Sequence, residues 1–244
     1  MRRIILMYHG IGLIETYDRM GLNTPLVKFI EQIQCLLQAG WKVGTIDWLL
    51  GKAPPESPCA ALSFDDGLAS QLAAAQYLDS IKVKATFFIP VSCLGLNLGG
   101  SGYWSQWKCM THAEVKSLKA SGHEIGSHGT SHRGPLHRLA PADANRELSE
   151  SREKLGKMIG ERVGGFSYPY GGFSLSLARL VQSSGYAYGA CSRPSQLPRT
   201  PFLYALPRIE VVGTDSMGKF QKKVCGNGEI LRVLRYFISR KVRR

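Results

Sequence analysis

Two short clusters hold the residue types that metal-assisted hydrolysis requires. Asp65 and Asp66 stand side by side ahead of Gly67, and His128 and His132 stand four residues apart. Imidazoles at that spacing face one site if the chain turns helically between them. Two imidazoles and one carboxylate, with a position left for water, form the ligand set of a catalytic zinc. The same donors suit Fe(II), Co(II), Ni(II) and Mn(II), so the residues alone leave the metal open. The other carboxylate of the pair need not be a ligand. Beside the water that such a metal activates, it is suited to be the general base. Each cluster alone has a plainer reading, Asp-Asp-Gly as a turn and the histidines as a solvated pair. Their joint placement points to chemistry.

That placement comes from the elements around them. Apolar β-type runs at 4–8, 43–46, 60–64, 85–89, 124–127, 165–168, 187–191 and 205–209 alternate with helical patterns. The first helix has Thr24 as its N-cap, Pro25 in its first turn and Gly40 past its end. Its apolar stripe is Leu26, Phe29, Ile30, Ile33, Leu36 and Leu37. Thr111 and Glu114 form a capping box for a later helix. Strands alternating with helices imply parallel strands and crossover connections, hence an α/β fold. In such folds active sites are built at the carboxyl ends of strands. Asp65-Asp66 follow the strand at 60–64, the two histidines follow 124–127, and Tyr168-Pro169-Tyr170-Gly171 close the next strand. The irregular stretches 92–108 and 192–203 read as loops over a binding face.

The chain has 244 residues, a net charge of +13, 44% hydrophobic and 20% charged residues. It is long enough for one sizeable core, and its composition argues against wholesale disorder. The basic excess admits nucleic acid, an anionic glycan, a lipid-linked sugar phosphate or a membrane surface as partner. No zinc-finger spacing or basic arm with interleaved aromatics supports nucleic acid. Much of the charge gathers at the end, in Arg232, Arg235, Arg240, Lys241, Arg243 and Arg244. There 229–244 reads as a basic amphipathic helix, a closing helix with a solvated rim or, through Leu231, Leu234 and Phe237, a contact with an anionic membrane. The six cysteines form no CxxC pair and read as buried thiols. The apolar run after Met1-Arg2-Arg3 is too short for a leader, and no stretch reaches the about eighteen apolar residues of a span. The expected location is cytoplasmic, with the inner membrane surface as its variant.

The same residues carry a resemblance. Ser63-Phe64-Asp65-Asp66-Gly67 matches the first motif of the polysaccharide deacetylase family, the NodB homology domain or carbohydrate esterase family four. Ser127-His128-Gly129-Thr130-Ser131-His132 is similar to its second motif, and Ser167-Tyr168-Pro169-Tyr170-Gly171 to its third. The resemblance spans residues 4–209. It implies a distorted (β/α) barrel of about seven parallel strands in a single domain over 1–244. It also implies metal-dependent N-deacetylation of an amino sugar in a glycan or glycan precursor. Position by position, Asp65 becomes the base, and Asp66, His128 and His132 become the ligands of a divalent metal, zinc first, with Co2+, Ni2+, Mn2+ or Fe2+ as alternatives. The Tyr170 N–H would help hold the oxyanion. Pro169, Trp104 and Trp107 are candidate sugar contacts, the tryptophans by stacking, with core packing or loop pinning as their equal alternative.

The chain departs from the family pattern twice. The third motif usually opens with an arginine that pairs with the base, and here Ser167 stands there. The usual late histidine acid is absent, since no histidine follows His137. Arg208, in Leu206-Pro207-Arg208-Ile209 at a strand end, is the expected replacement for the arginine. His9, at the end of the first strand, is the expected proton donor to the leaving amine, because a barrel brings its first and last strands together. A structural histidine bonded to backbone is the plainer reading of His9. Two other functions fit the sequence: a deformylase or amidase on a lipid-linked amino sugar, and a carbohydrate-binding relative with little catalytic power.

Overall fold

The computed structural model describes residues 1–12, 18, 20–99, 105–132, 134–198 and 200–225. In chain order the elements are β1 (Arg3–Tyr8), β2 (Gly10–Ile11), β3 (Asn23–Thr24), α1 (Leu26–Gln38), β4 (Lys42–Gly44), α2 (Ile46–Gly51), β5 (Cys59–Phe64), α3 (Gln71–Ser80) and β6 (Thr86–Ile89). They continue with α4 (His112–Ala120), β7 (Glu124–Ser127), α5 (Pro141–Ile159), β8 (Gly165–Ser167), α6 (Leu175–Ser183), β9 (Tyr188–Cys191), β10 (Leu206–Pro207) and β11 (Ile209–Glu210).

The main sheet runs β10-β9-β8-β7-β6-β5-β1-β11, with every pairing parallel. It is nearly closed into a barrel, as the resemblance implies. β4 pairs with the first half of one edge of β5, Lys42 opposite Cys59 and Gly44 opposite Ala61. β6 takes the second half, Ser63 and Phe64. The expected strand at 205–209 is in fact two. Pro207 pairs with Cys191 on one side of the seam, Ile209 pairs with Leu6 on the other, and Arg208 alone spans the gap. That split is why the sheet path holds eight strands rather than about seven.

The strands are apolar on both faces because both are covered. Period-two alternation divides their side chains. Ile5, Cys59, Ala61, Phe88, Tyr188 and Ala190 form one cluster with Ile46 and Leu49 of α2, which fills the barrel interior from its amino end. Ile4, Leu6, Leu62, Phe64, Phe87 and Ile89 belong to the larger outer cluster under the helices. α2 starts at Thr45, whose side chain accepts the Trp48 N–H. It is tied to β6 by the Ile46 N–H, which donates to Thr86 Oγ1 at 2.9 Å. Thr111 and Glu114 form both bonds of the expected capping box. Thr24 does not cap α1. It pairs in β3 with Ile11, and Pro25 takes the cap position without a side-chain bond. Thr24 Oγ1 reaches no helix N–H and is buried without a partner among the described residues.

All six cysteines are buried free thiols. No helix among the described residues is long and apolar enough to cross a membrane. The basic helix expected at 229–244, and Trp104, lie outside the described residues.

Candidate metal centre and active site

Parallel pairing puts the carboxyl ends of β1, β5, β7 and β8 on one rim of the sheet, and these ends deliver His9, Asp65-Asp66, His128 and the Tyr168–Gly171 turn. The ladder extends one step into the site. Asp65 N–H donates to Tyr8 O at 3.0 Å and His128 N–H to Ile89 O at 2.9 Å. Past these bonds the backbone turns sharply. Asp66, His132 and Tyr170 adopt φ of 72°, 51° and 59°. Left-handed backbone at a non-glycine residue costs energy and concentrates at functional positions. Lys82 is the one other case among the described residues.

Asp66, His128 and His132 are all buried. One oxygen or nitrogen from each lies within 4.8 Å of the others. Asp66 Oδ1 is 3.3 Å from His128 Nε2 and 3.2 Å from His132 Nε2. His128 Nδ1 is 2.9 Å from the Ser167 carbonyl. A carbonyl only accepts, so Nδ1 carries a hydrogen and Nε2 is the nitrogen turned to Asp66. This outer contact orients a metal-ligating histidine. The donor set therefore fits a divalent cation between two imidazole nitrogens and one carboxylate oxygen. Burial works against the Asp66 carboxylate, but its contacts with His128 and His132 hold its pKa well below the usual carboxylate range. Burial likewise opposes protonation of His132, yet Asp66 outweighs it and raises that pKa. The His132 ring is stacked on Tyr170, with centroids 4.8 Å apart and planes at 21°.

Asp65 has a different environment. Arg208 forks onto it, Nη1 to Oδ1 at 2.7 Å and Nη2 to Oδ2 at 2.7 Å. Ser167 Oγ donates to Oδ2 at 3.1 Å and accepts from Arg208 Nη2 at 2.8 Å. Arg208 is completely buried. Its remaining contacts are Ser63 Oγ at 3.3 Å, the Cys191 carbonyl at 3.4 Å and the Phe88 ring at 5.5 Å. Burial alone would raise the Asp65 pKa. Arg208 and then His128 outweigh it, and the carboxyl lies below its usual range. Arg208 thus reaches from the seam into the space beside Ser167.

The other expected residues divide. His9 is close enough to the pair that its charge lowers both Asp65 and Asp66. Its Nδ1 is buried without a hydrogen-bond partner among the described residues. Tyr170 is 52% exposed, and its N–H donates to no acceptor among the described residues. Trp107 corrects the expectation. It is 1% exposed and packs with Leu22, Leu68, Cys93, Leu98 and Cys109, so its ring offers no face to a sugar. Pro169 is also buried and lies under the histidine turn, 3.7 Å from where a Cβ on Gly129 would be. Loop aromatics show their burial only once the loop has folded. Sequence reasoning also passed over Gln71, completely buried at the start of α3. Its Nε2 donates to the His9 carbonyl at 3.1 Å and to the Asp65 carbonyl. Ser63 and Ser167 had a readable signal, each being a hydroxyl in an otherwise apolar strand.

Comparison with known proteins points to one family. The polysaccharide deacetylase family profile matches residues 52–189. The curated protein YxkH of Bacillus subtilis (strain 168), provisionally named a polysaccharide deacetylase, is 26% identical over 212 residues, or 85% of this chain and 70% of that one. Among solved structures, the Streptococcus pyogenes deacetylase PplD in complex with acetate is 21% identical, with a TM-score of 0.77 over 92% of this chain and 98% of that one. IcaB from Ammonifex degensii is 18% identical, with a TM-score of 0.76 over 92% and 96%. At these identities the structures speak for the fold, while the profile covers more than half of the chain. This chain belongs to the polysaccharide deacetylase family.

Proposed function

We propose that this protein is a metal-dependent hydrolase that removes an N-acetyl group from an amino sugar in a glycan. One observation carries the reading: an ionised, arginine-paired Asp65 stands next in sequence to the Asp66, His128 and His132 donor set. Those three residues would hold the cation, zinc or another divalent ion of similar preference. When bound, it would polarise the acyl oxygen and make water a better nucleophile at neutral pH.

The protein's own groups do the rest. Asp65 is the base. A carboxylate offers about four acceptor positions, and three are taken, two on Oδ2 and one on Oδ1. The remaining position on Oδ1 receives the proton of the attacking water. Arg208 keeps Asp65 ionised and fixes its plane. The unengaged Tyr170 N–H supports negative charge developing on the acyl oxygen. The His9 ring, with an unpartnered buried nitrogen, delivers a proton to the departing amine. Tyr170, exposed and stacked on His132, is the ring that a sugar meets. The unit that carries the reaction would be the whole of 1–244.

The test is acetate release from a panel of N-acetylated saccharides, polymeric and lipid-linked, with mass spectrometry separating acetate from formate. Chelation should abolish release and zinc or cobalt should restore it. Asp65→Asn and His9→Ala should each lose about a hundredfold or more in turnover while still binding zinc. Activity indifferent to chelators, or to Asp65→Asn, would sink the mechanism.

A further inference from the structure

We propose that Glu147 is a positioning residue for the metal ligands. Its carboxylate holds the turn between His128 and His132 in the shape that brings both Nε2 atoms to Asp66. The proposal rests on the metal-dependent reading above.

The turn is hard to make. Gly129 and His132 lie at φ of 79° and 51°, and the residues between belong to no helix or strand. Yet its polar groups are satisfied. The Gly129 and Thr130 carbonyls accept from Val91 N–H at 3.2 Å and Ser92 N–H at 2.9 Å. The Gly129 N–H donates to Ser127 Oγ at 3.1 Å. The remaining donors converge on one side chain. Thr130 N–H and Ser131 N–H both reach Glu147 Oε2, at 2.7 and 2.9 Å, and Ser131 Oγ reaches Oε1 at 2.6 Å. Thr130 Oγ1 adds a bond to the Glu147 carbonyl at 3.0 Å. Bonds to an ionised acceptor are about twice as strong as neutral ones. The fit is close, for a Cβ on Gly129 would stand 3.2 Å from Glu147 Oε2.

Glu147 can act as a fixed post because α5 is itself fixed. Ala144, Leu148, Ser151 and Leu155 bury one face of it. Ser151 Oγ bonds Ser127 Oγ at 2.8 Å, one residue before His128. Glu147 forms no ion pair among the described residues, so its charge is directed wholly at the turn. Strained backbone persists only where its surroundings over-determine it. Here Glu147 is the part of those surroundings that takes the Thr130 and Ser131 N–H groups.

The test is zinc affinity, read by competition with a chromophoric chelator on the full chain stripped of metal. Outer contacts to metal ligands are typically worth about 10–100-fold in affinity, and Glu147→Ala should weaken zinc by that much. Glu147→Gln keeps one acceptor oxygen and should fall between wild type and alanine. Saturating zinc should restore turnover to both. Glu150→Ala, one turn along α5, should leave affinity unchanged. Zinc affinity in Glu147→Ala equal to wild type overturns the proposal. If that variant does not fold, Glu147→Gln decides: a few-fold weakening supports the proposal, and none overturns it. A wild-type chain that binds no zinc overturns the metal reading itself, and this proposal with it.

Discussion

Arg208 takes its charge where water does not follow, and Asp65 is what it finds there. Removing one member of a buried ion pair costs about 3–5 kcal/mol, because the other charge is left without compensation. Arg208→Met should therefore lose most turnover and that much unfolding free energy in urea titration. On an Asp65→Asn background the same change should cost clearly less, since no carboxylate is stranded. Equal costs on the two backgrounds would show that the pairing is not the reason. Arg208→Lys should fall between, because an ammonium cannot fork onto both oxygens. The arginine was legible from its place at a strand end and from the serine standing where the family has an arginine. Its fork onto Asp65 was not, because it depends on two strands separated by most of the sequence.

At the scale of elements, a buried histidine ties α3 to the sheet. His123 accepts the Ala85 N–H on Nδ1 at 3.1 Å, and its ring meets Phe87 edge-on at 5.2 Å. Asp79 faces Nε2 at 3.3 Å, and Lys84 pairs with Asp79. Burial, against the attraction of Asp79, leaves the folded pKa of His123 below its ordinary 6.5. The unfolded chain thus takes up this proton first. The stability contributed by the neutral ring is full above about pH 6.5 and is lost as pH falls from there through the folded value. Metal-free protein should melt lower at pH 5.5 than at 7.5, and His123→Gln, which can still accept from Ala85, should reduce the difference. An unchanged slope would exclude His123 as its source. In the sequence this histidine follows Ser121-Gly122, a turn signal that says nothing of burial. The strands were legible because their runs are apolar throughout. The capping box was legible because its signal is local. Thr24 misled because its pairing with Ile11 is a tertiary contact that a local cap signal does not report.

At the scale of the whole molecule, the proposed metal ligands come from two loops and the barrel holds them together, so a cation that needs both should stabilise the fold. At zinc a hundred times its dissociation constant the gain is about 2.7 kcal/mol. For a chain of this length that is roughly 5–10 °C in Tm. Thermal melting of stripped protein with and without zinc should show it, and Asp66→Ala should remove it. The parallel α/β architecture was legible from alternation alone, while closure into a barrel came only with the family resemblance, because periodicity does not say which edges meet. They meet at Arg208, and this has a consequence for synthesis. During synthesis β1 emerges well before residues 208–210, so one of its edges stays open, and Asp65 lacks its ion-pair partner, until they follow. The residue at the barrel's seam is also the one that lets Asp65 be buried as a carboxylate, so the site is completed in the same step in which the chain stops presenting a sticky edge.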